Sequence, residues 1–349
     1  MSKIKVMHLL KSDKFSGAEN VVCQIIDLCK DDGKYDFIYC SSEGPIRDTL
    51  TEKKINFFGL NKVSIRNVKN AISVINPDII HAHDMGASFL ASLVCGKRKL
   101  IITIHNNAPE NAKKNIKTLL FNFATRKASH IFWVSDSAYN DYYFINKVRE
   151  KSSVLYNIID IPKLYYRASQ DSNDYNYDIL FLGRITFQKN PQRLLEVFRA
   201  LSNEYPDVRL AIAGTGEMEE EIKSEAYEMG LINKIDFLGF VDNPYKLLKT
   251  SKIMIMTSRW EGTPMSALEA MALGVPIVST PTDGLKKVVI DGETGYLSDD
   301  NKVIINKCIT IIKDPLLRKK LSTASINRAK ELMDTEFFKR EIEKAYDEL

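Results

Sequence analysis

The chain has 349 residues, of which 44% are hydrophobic and 27% charged, with a formal net charge of +4 at pH 7. This balance excludes an intrinsically disordered segment, and the length exceeds what a single core usually organises, so two domains are expected. Five cysteines (Cys23, Cys29, Cys40, Cys95, Cys308) form no C-x-x-C pair, which argues against a disulfide framework and a zinc ribbon. No run of 18 apolar residues and no signal-peptide pattern is present, so a cytoplasmic protein is expected.

From the N-terminus, short apolar runs alternate with stretches of helical length: 4–10, 36–40, 55–60, 78–83, 100–105, 130–135 and 153–157. These runs lack clean polar alternation, as strands of a parallel sheet covered on both faces do. A Rossmann-like domain over 1–165 is expected. Residues 162–177, crowded with Ser, Asn, Asp and Tyr, read as a connector. The pattern restarts with runs at 177–183, 208–214, 235–239, 252–258 and 275–280, giving a second Rossmann-like domain over 175–330. From Asn301 three helical segments follow, and the last, 335–349, is expected to dock elsewhere.

Charge is uneven: residues 1–165 carry +8, residues 166–349 carry −4. The Lys/Arg density is too low for a nucleic-acid domain, so no nucleic-acid partner is expected; an anionic membrane or acceptor, or plain solubility charge, accounts for the excess. The basic residues concentrate over 110–130, where Lys113, Lys114, Lys117, Arg126 and Lys127 are interleaved with Leu119, Leu120, Phe121 and Phe123. That segment reads either as a helix making peripheral contact with an anionic membrane or as an ordinary helix with its apolar face in the core.

The most informative stretch is EGTPMSALEAMALGVPIVSTP, 261–281, where a strand gives way to a helix near Pro264. Glu269 is the one charged side chain between Gly262 and Thr282. Buried in an apolar helix, its carboxylate needs a hydroxyl, an amide or a cation. Glu261 precedes the helix, whose first N–H groups, from Thr263 to Ser266, form an anion site. In the first domain, His81 and His83 share one face of a strand. Asp84 and His105 are further candidates beside them, but four ligands in good geometry are not evident, and no metal site is expected.

Glu261 and Glu269, eight positions apart in an EG-x-P-x-x-x-x-EA-x-A-x-G-x-P context, resemble the signature of glycosyltransferase family four, as do Gly183, Arg184, Lys189 and Asn190. The resemblance implies the α/β GT-B fold, two Rossmann-like domains facing each other across a cleft, with the C-terminal helix packing back on the first. It implies a retaining, metal-independent glycosyltransferase that takes a nucleoside-diphosphate sugar as co-substrate, UDP favoured over GDP, and needs no cofactor. The sugar would pass to a hydroxyl of a glycan or lipid-linked acceptor, in cell-surface polysaccharide or glycolipid synthesis at the inner face of the plasma membrane. No D-x-D metal motif is present.

By the same resemblance, Arg184 and Lys189 hold the diphosphate and stabilise the charge growing on the leaving group, and Glu261 meets sugar hydroxyls. Gly17, Gly214, Gly262, Thr263, Pro264, Met265, Ser266 and Glu269 complete the donor site, with Phe240 and Val241 as neighbours of the base. His83 contacts a sugar hydroxyl or the acceptor, and His105 is an acceptor-cleft candidate. Ser16-Gly17 stands where the family usually has two glycines, which leaves that loop's geometry open. The competing readings are a sugar-nucleotide 2-epimerase on the same scaffold, whose acid/base pair is not evident, and a catalytically silent sugar-nucleotide-binding subunit.

Overall fold

The computed structural model describes residues 3–30 and 33–347, which fall into two compact units, 1–157 with 335–349, and 158–334. The first unit runs β1 (Ile4–Leu9), α1 (Gly17–Cys29), β2 (Tyr35–Ser42), α2 (Ile46–Glu52), β3 (Phe57–Leu60), α3 (Ile65–Ile75) and β4 (Ile79–His83). It continues through α4 (Asp84–Val94), β5 (Lys99–Ile104), α5 (Ile116–Thr125), β6 (Ala128–Trp133), α6 (Asp136–Asn140) and β7 (Ser152–Val154). The second unit opens with α7 (Ile161–Gln170), β8 (Ile179–Leu182), α8 (Pro191–Glu204), β9 (Leu210–Ala213), α9 (Glu219–Glu228), β10 (Ile235–Gly239) and α10 (Tyr245–Thr250). Then come β11 (Ile253–Met256), α11 (Met265–Ala272), β12 (Ile277–Ser279), α12 (Asp283–Val288), β13 (Gly295–Leu297), α13 (Asn301–Lys313) and α14 (Pro315–Leu332). Helix α15 (Thr335–Asp347) returns to the first unit.

Both sheets are parallel, in the orders β3-β2-β1-β4-β5-β6-β7 and β10-β9-β8-β11-β12-β13. Every residue of β4, β9 and β11 is buried, as strands covered by helices on both faces must be. In each sheet the strand order reverses beside the first strand, at β1/β4 and β8/β11, and doubly wound sheets take ligands at the carboxyl ends of strands at such a reversal.

Three expectations are corrected. The 162–177 connector is in its first half a helix, α7: Asp160 caps it by accepting from the Lys163 N–H, and Pro162 occupies its first turn. The division therefore falls at Asn157/Ile158, ahead of that stretch. A sixth strand in the second unit, β13, is three residues long at the sheet edge, too short to carry a period. The 110–130 segment is not one helix: a short 3-10 turn covers Pro109–Ala112, α5 is confined to Ile116–Thr125, and β6 follows.

Helix α15 packs on α1 and buries Phe338, Ile342, Ala345 and Tyr346, the last against Tyr35, Phe37 and His81; the last two residues of the expected 335–349 helix lie outside the described residues. Tyr35 donates from its hydroxyl to Asp347 Oδ1 (2.7 Å), and Lys34 pairs with the same carboxylate. Among the described residues no helix is long and apolar enough to cross a membrane.

Candidate functional site

At the end of β8 the chain turns through Gly183, whose N–H donates to the Ala213 carbonyl (3.0 Å), while the Ile185 N–H donates to the Thr215 carbonyl (3.0 Å). The loops after β8 and β9 are thus zipped together. The side of Gly214 facing this seam has no room: a Cβ there would lie 2.0 Å from the Gly183 carbonyl oxygen, and φ is +144°. Glycine at 214 is required by that close approach. A 3-10 turn, Phe187–Lys189, then brings the Lys189 side chain back over Gly183.

Lys189 Nζ meets Glu261 Oε1 at 2.5 Å, and the Ser258 hydroxyl donates to the same oxygen (2.6 Å). Gln188 Nε2 donates to the Trp260 carbonyl (3.0 Å), tying the β8 loop to the β11 loop beside this pair. Glu261 is 4% exposed, and the Lys189 ammonium and the Ser258 hydroxyl take the place of the water its carboxylate loses on burial. Arg184, two residues beyond the end of β8, is exposed, and among the described residues its side chain makes no hydrogen bond or ion pair. A paired lysine and an unpaired arginine therefore stand at the end of the strand beside the reversal.

Gly262, Thr263, Pro264 and Met265 are buried and Ser266 is partly exposed; α11 begins at Met265, with Pro264 as its cap residue rather than its first helical one. A Cβ on Gly284 would lie 1.3 Å from the Gly262 carbonyl oxygen, so the start of α12 presses directly on the Glu261–Gly262 turn. Phe240 is exposed and Val241 partly so, immediately after Gly239, which adopts φ +64°.

Glu269 lies on α11, buried, with the Tyr245 hydroxyl donating to Oε1 across 3.4 Å. The Arg167 guanidinium stacks over the Tyr245 ring at 5.1 Å and pairs with Asp242 at 2.8 Å. Burial raises the Glu269 carboxyl from its ordinary 4.5 to about 7, against the opposing pull of the Tyr245 hydrogen bond and the Arg167 charge. The partner that the sequence requires for Glu269 is thus a tyrosine on α10, backed by an arginine on α7.

In the first unit, His8 on β1 and His81 and His83 on β4 share one sheet face and are buried, with Thr103 on β5 beside them. His83 has both ring nitrogens engaged: Nε2 lies 3.0 Å from His8 Nδ1, and Nδ1 lies 2.8 Å from His105 Nε2. A direct ring contact from His83 to a ligand would break one of these bonds, which counts against the expected role. Among the described residues the ring with an open nitrogen is His105, whose buried Nδ1 has no partner there. Among the described residues the nitrogens of His8, His81 and His83 lie within 4.8 Å of one another, a different trio from the His81, His83, Asp84 and His105 set considered from sequence. Gly17 is the first residue of α1, behind Ser16, whose hydroxyl donates to the buried Glu19 carboxylate (2.5 Å).

Sequence reasoning missed Ser258, Gln188, Tyr245, Arg167, Gly284, His8 and Tyr346. Only Gly284, within TPTDG, carried a local signal, a glycine where a turn passes into the first turn of a helix. Ser258 bonds Glu261 only three residues on but has no pattern of its own, and the rest are ordinary residues whose meaning comes from partners remote in sequence.

Two family models match consecutive stretches: "Glycosyltransferase Family 4" over residues 15–163 and "Glycosyl transferases group 1" over 163–328. Among curated proteins, the chain is 25% identical to the Escherichia coli UDP-Gal:alpha-D-GlcNAc-diphosphoundecaprenol alpha-1,3-galactosyltransferase over 352 residues, 90% of each chain. It is also 25% identical to the N-acetyl-alpha-D-glucosaminyl L-malate synthase of Bacillus anthracis, covering 78% of this chain and 74% of that one. The Anabaena protein HepE, solved in complex with UDP-glucose, superposes with a TM-score of 0.86 over 99% of this chain and 100% of that one, at 21% identity. With family models spanning residues 15–328 and one parallel sheet in each unit, the chain belongs to the family four glycosyltransferases of GT-B fold.

Proposed function

We propose that the protein transfers a sugar from a UDP-sugar to a hydroxyl of a glycan or lipid-linked acceptor, with retention at the anomeric carbon and without a metal ion. The observation that carries this reading is the Lys189–Glu261–Ser258 cluster beside the unpaired Arg184, at the carboxyl ends of β8 and β11. Two cations there match the charge of a diphosphate, and fixed cations in a desolvated site stabilise a departing phosphate more than water can. A protein that supplies both charges from Arg184 and Lys189 needs no divalent ion for the leaving group.

Uridine is supported by the named relatives: the Escherichia coli protein uses UDP-Gal, and HepE is solved with UDP-glucose. In this reading Glu261 releases Lys189 to the phosphate and accepts sugar hydroxyls, Glu269 accepts the ribose hydroxyls, and the helix α11 N-terminus faces the phosphates. Phe240 and Val241 border the base, with Gly17 and Gly214 letting the backbone approach the donor. Same-face attack lets the leaving phosphate take the acceptor's proton, so no protein nucleophile is needed. The diphosphoundecaprenol-linked acceptor in the name of the Escherichia coli relative supports a lipid-linked acceptor here, and with it a reaction at the inner face of the plasma membrane in cell-surface polysaccharide or glycolipid synthesis.

The test is thermal unfolding in EDTA against uridine and guanosine diphosphates and their sugars, since a ligand bound to the folded chain raises the midpoint. Uridine compounds alone are expected to raise it; a shift only with guanosine compounds, or only with added metal, overturns the corresponding part. Lys189→Ala is expected to keep the fold and lower turnover by about 100-fold or more, the scale of losing one electrostatic donor to a developing oxyanion. Wild-type turnover in that variant rejects the assignment.

A further inference from the structure

The buried histidines form one connected chain. From the far end, Thr103 Oγ1 lies 2.7 Å from His81 Nε2, and His81 Nδ1 lies 2.9 Å from the Tyr346 hydroxyl. That hydroxyl lies 3.5 Å from His8 Nε2; His8 Nδ1 then meets His83 Nε2, and His83 Nδ1 meets His105 Nε2. Every link lies within the first unit, and Tyr346 comes from α15.

A neutral imidazole has one donor and one acceptor nitrogen, so fixing one link fixes all of them. Burial keeps the rings neutral at pH 7: it lowers His8 to about 3 and pushes His81, His83 and His105 below the usual histidine range. Two directions are conceivable. If Thr103 accepts from His81 Nε2, its own buried hydroxyl hydrogen is left with no acceptor among the described residues, which is costly. If Thr103 donates, every hydrogen is used in turn. His81 Nδ1–H donates to Tyr346, Tyr346 to His8 Nε2, His8 Nδ1–H to His83 Nε2, and His83 Nδ1–H to His105 Nε2. One hydrogen is then left over, on the unpartnered His105 Nδ1 at the carboxyl end of β5.

We propose that Thr103 and Tyr346 hold the four imidazoles in a one-way hydrogen-bond chain that makes His105 Nδ1 a donor awaiting an acceptor oxygen of the ligand. Tyr346 is then a positioning residue for His105, acting through His8 and His83. That the oxygen belongs to a sugar or its acceptor rests on the transferase reading; the direction of the chain does not.

The experiment is long-range nitrogen–proton correlation NMR on the full chain carrying ¹⁵N-histidine, without ligand, at neutral pH. His8, His81, His83 and His105 are expected all to carry hydrogen on Nδ1, the tautomer less favoured by free histidine. Tyr346→Phe keeps the ring that packs edge-on against Tyr35 at 5.4 Å and removes only the hydroxyl. It should shift His105 toward a mixture of tautomers although His105 lies beyond His8 and His83. An Nε2–H tautomer in any of these rings of the parent, or unchanged His105 signals in Tyr346→Phe, overturns the chain. If Tyr346→Phe does not fold, the isosteric Thr103→Val removes the first donor and should shift His105 likewise; no shift overturns it. A UDP-sugar that raises the unfolding midpoint yet leaves His105 Nδ1 unmoved overturns the ligand assignment alone.

Discussion

Glu269 titrates at a higher pH in the folded chain than in the unfolded one. Its value is about 7 when folded against an ordinary 4.5, so between these limits the folded state binds the extra proton. Stability therefore falls as pH rises from about 4.5 to about 7 and levels off above, by on the order of 3 kcal/mol for this group. Glu269→Gln should abolish that slope, as read by urea unfolding at about pH 5 and about pH 8; a variant as pH-sensitive as its parent rejects the assignment. The sequence makes Glu269 conspicuous because it is alone in an apolar helix, and it makes the need for a partner plain. It does not name Tyr245, which reaches the carboxylate from another helix only after folding, or Arg167, which stacks behind that tyrosine. The same holds for His83: the paired histidines are visible in DIIHAHD, while the neighbours that occupy both ring nitrogens come from β1 and β5.

At the scale of the element, α5 shows what periodicity leaves open. The spacing of its apolar residues is readable, but the side they face is not. Phe121 is fully buried, whereas Ile116, Leu119, Leu120 and Phe123 are 77%, 44%, 40% and 45% exposed. These four recur at i, i+3, i+4 and i+7 and so form one outward stripe, in addition to the inward face that Phe121 and Ala124 bury. Lys113, Lys114 and Lys117 lie at or just before its start, and Arg126 and Lys127 just after its end. An exposed apolar stripe flanked by lysines suits the surface of an anionic bilayer. We expect the protein to sediment with vesicles of anionic lipid, and Leu119→Ser with Phe123→Ser to weaken this about tenfold or more while leaving unfolding within about 1 kcal/mol, since both side chains are already exposed. Retained sedimentation in that double variant would remove α5 from the membrane-facing role.

The whole molecule repeats one plan, and that plan was the most legible feature. Apolar runs without alternation, separated by helix-length crossovers, give parallel sheets, and the right-handed crossover rule leaves few orders to choose from. What escaped were features without a period of their own: the edge strand β13, and α7, hidden by its polar composition although its Asp160 cap and Pro162 were in view. The return of the C-terminus was expected from the family resemblance, and it makes the last helix part of the first unit's core. Phe338, Ile342, Ala345 and Tyr346 are buried there, and at roughly 1.5–3 kcal/mol for each large apolar side chain their loss rivals the whole stability of a domain. Each unit holds one of the two tryptophans: Trp133, buried in the first, and Trp260, partly exposed in the second. In a Trp260→Phe background fluorescence reports the first unit, and in Trp133→Phe the second. Ending the chain at Asp334 should collapse or strongly lower the denaturant midpoint seen by Trp133 and move that seen by Trp260 far less. Equal shifts at both tryptophans would mean that the two units unfold as one, and that α15 supports more than the unit to which it returns.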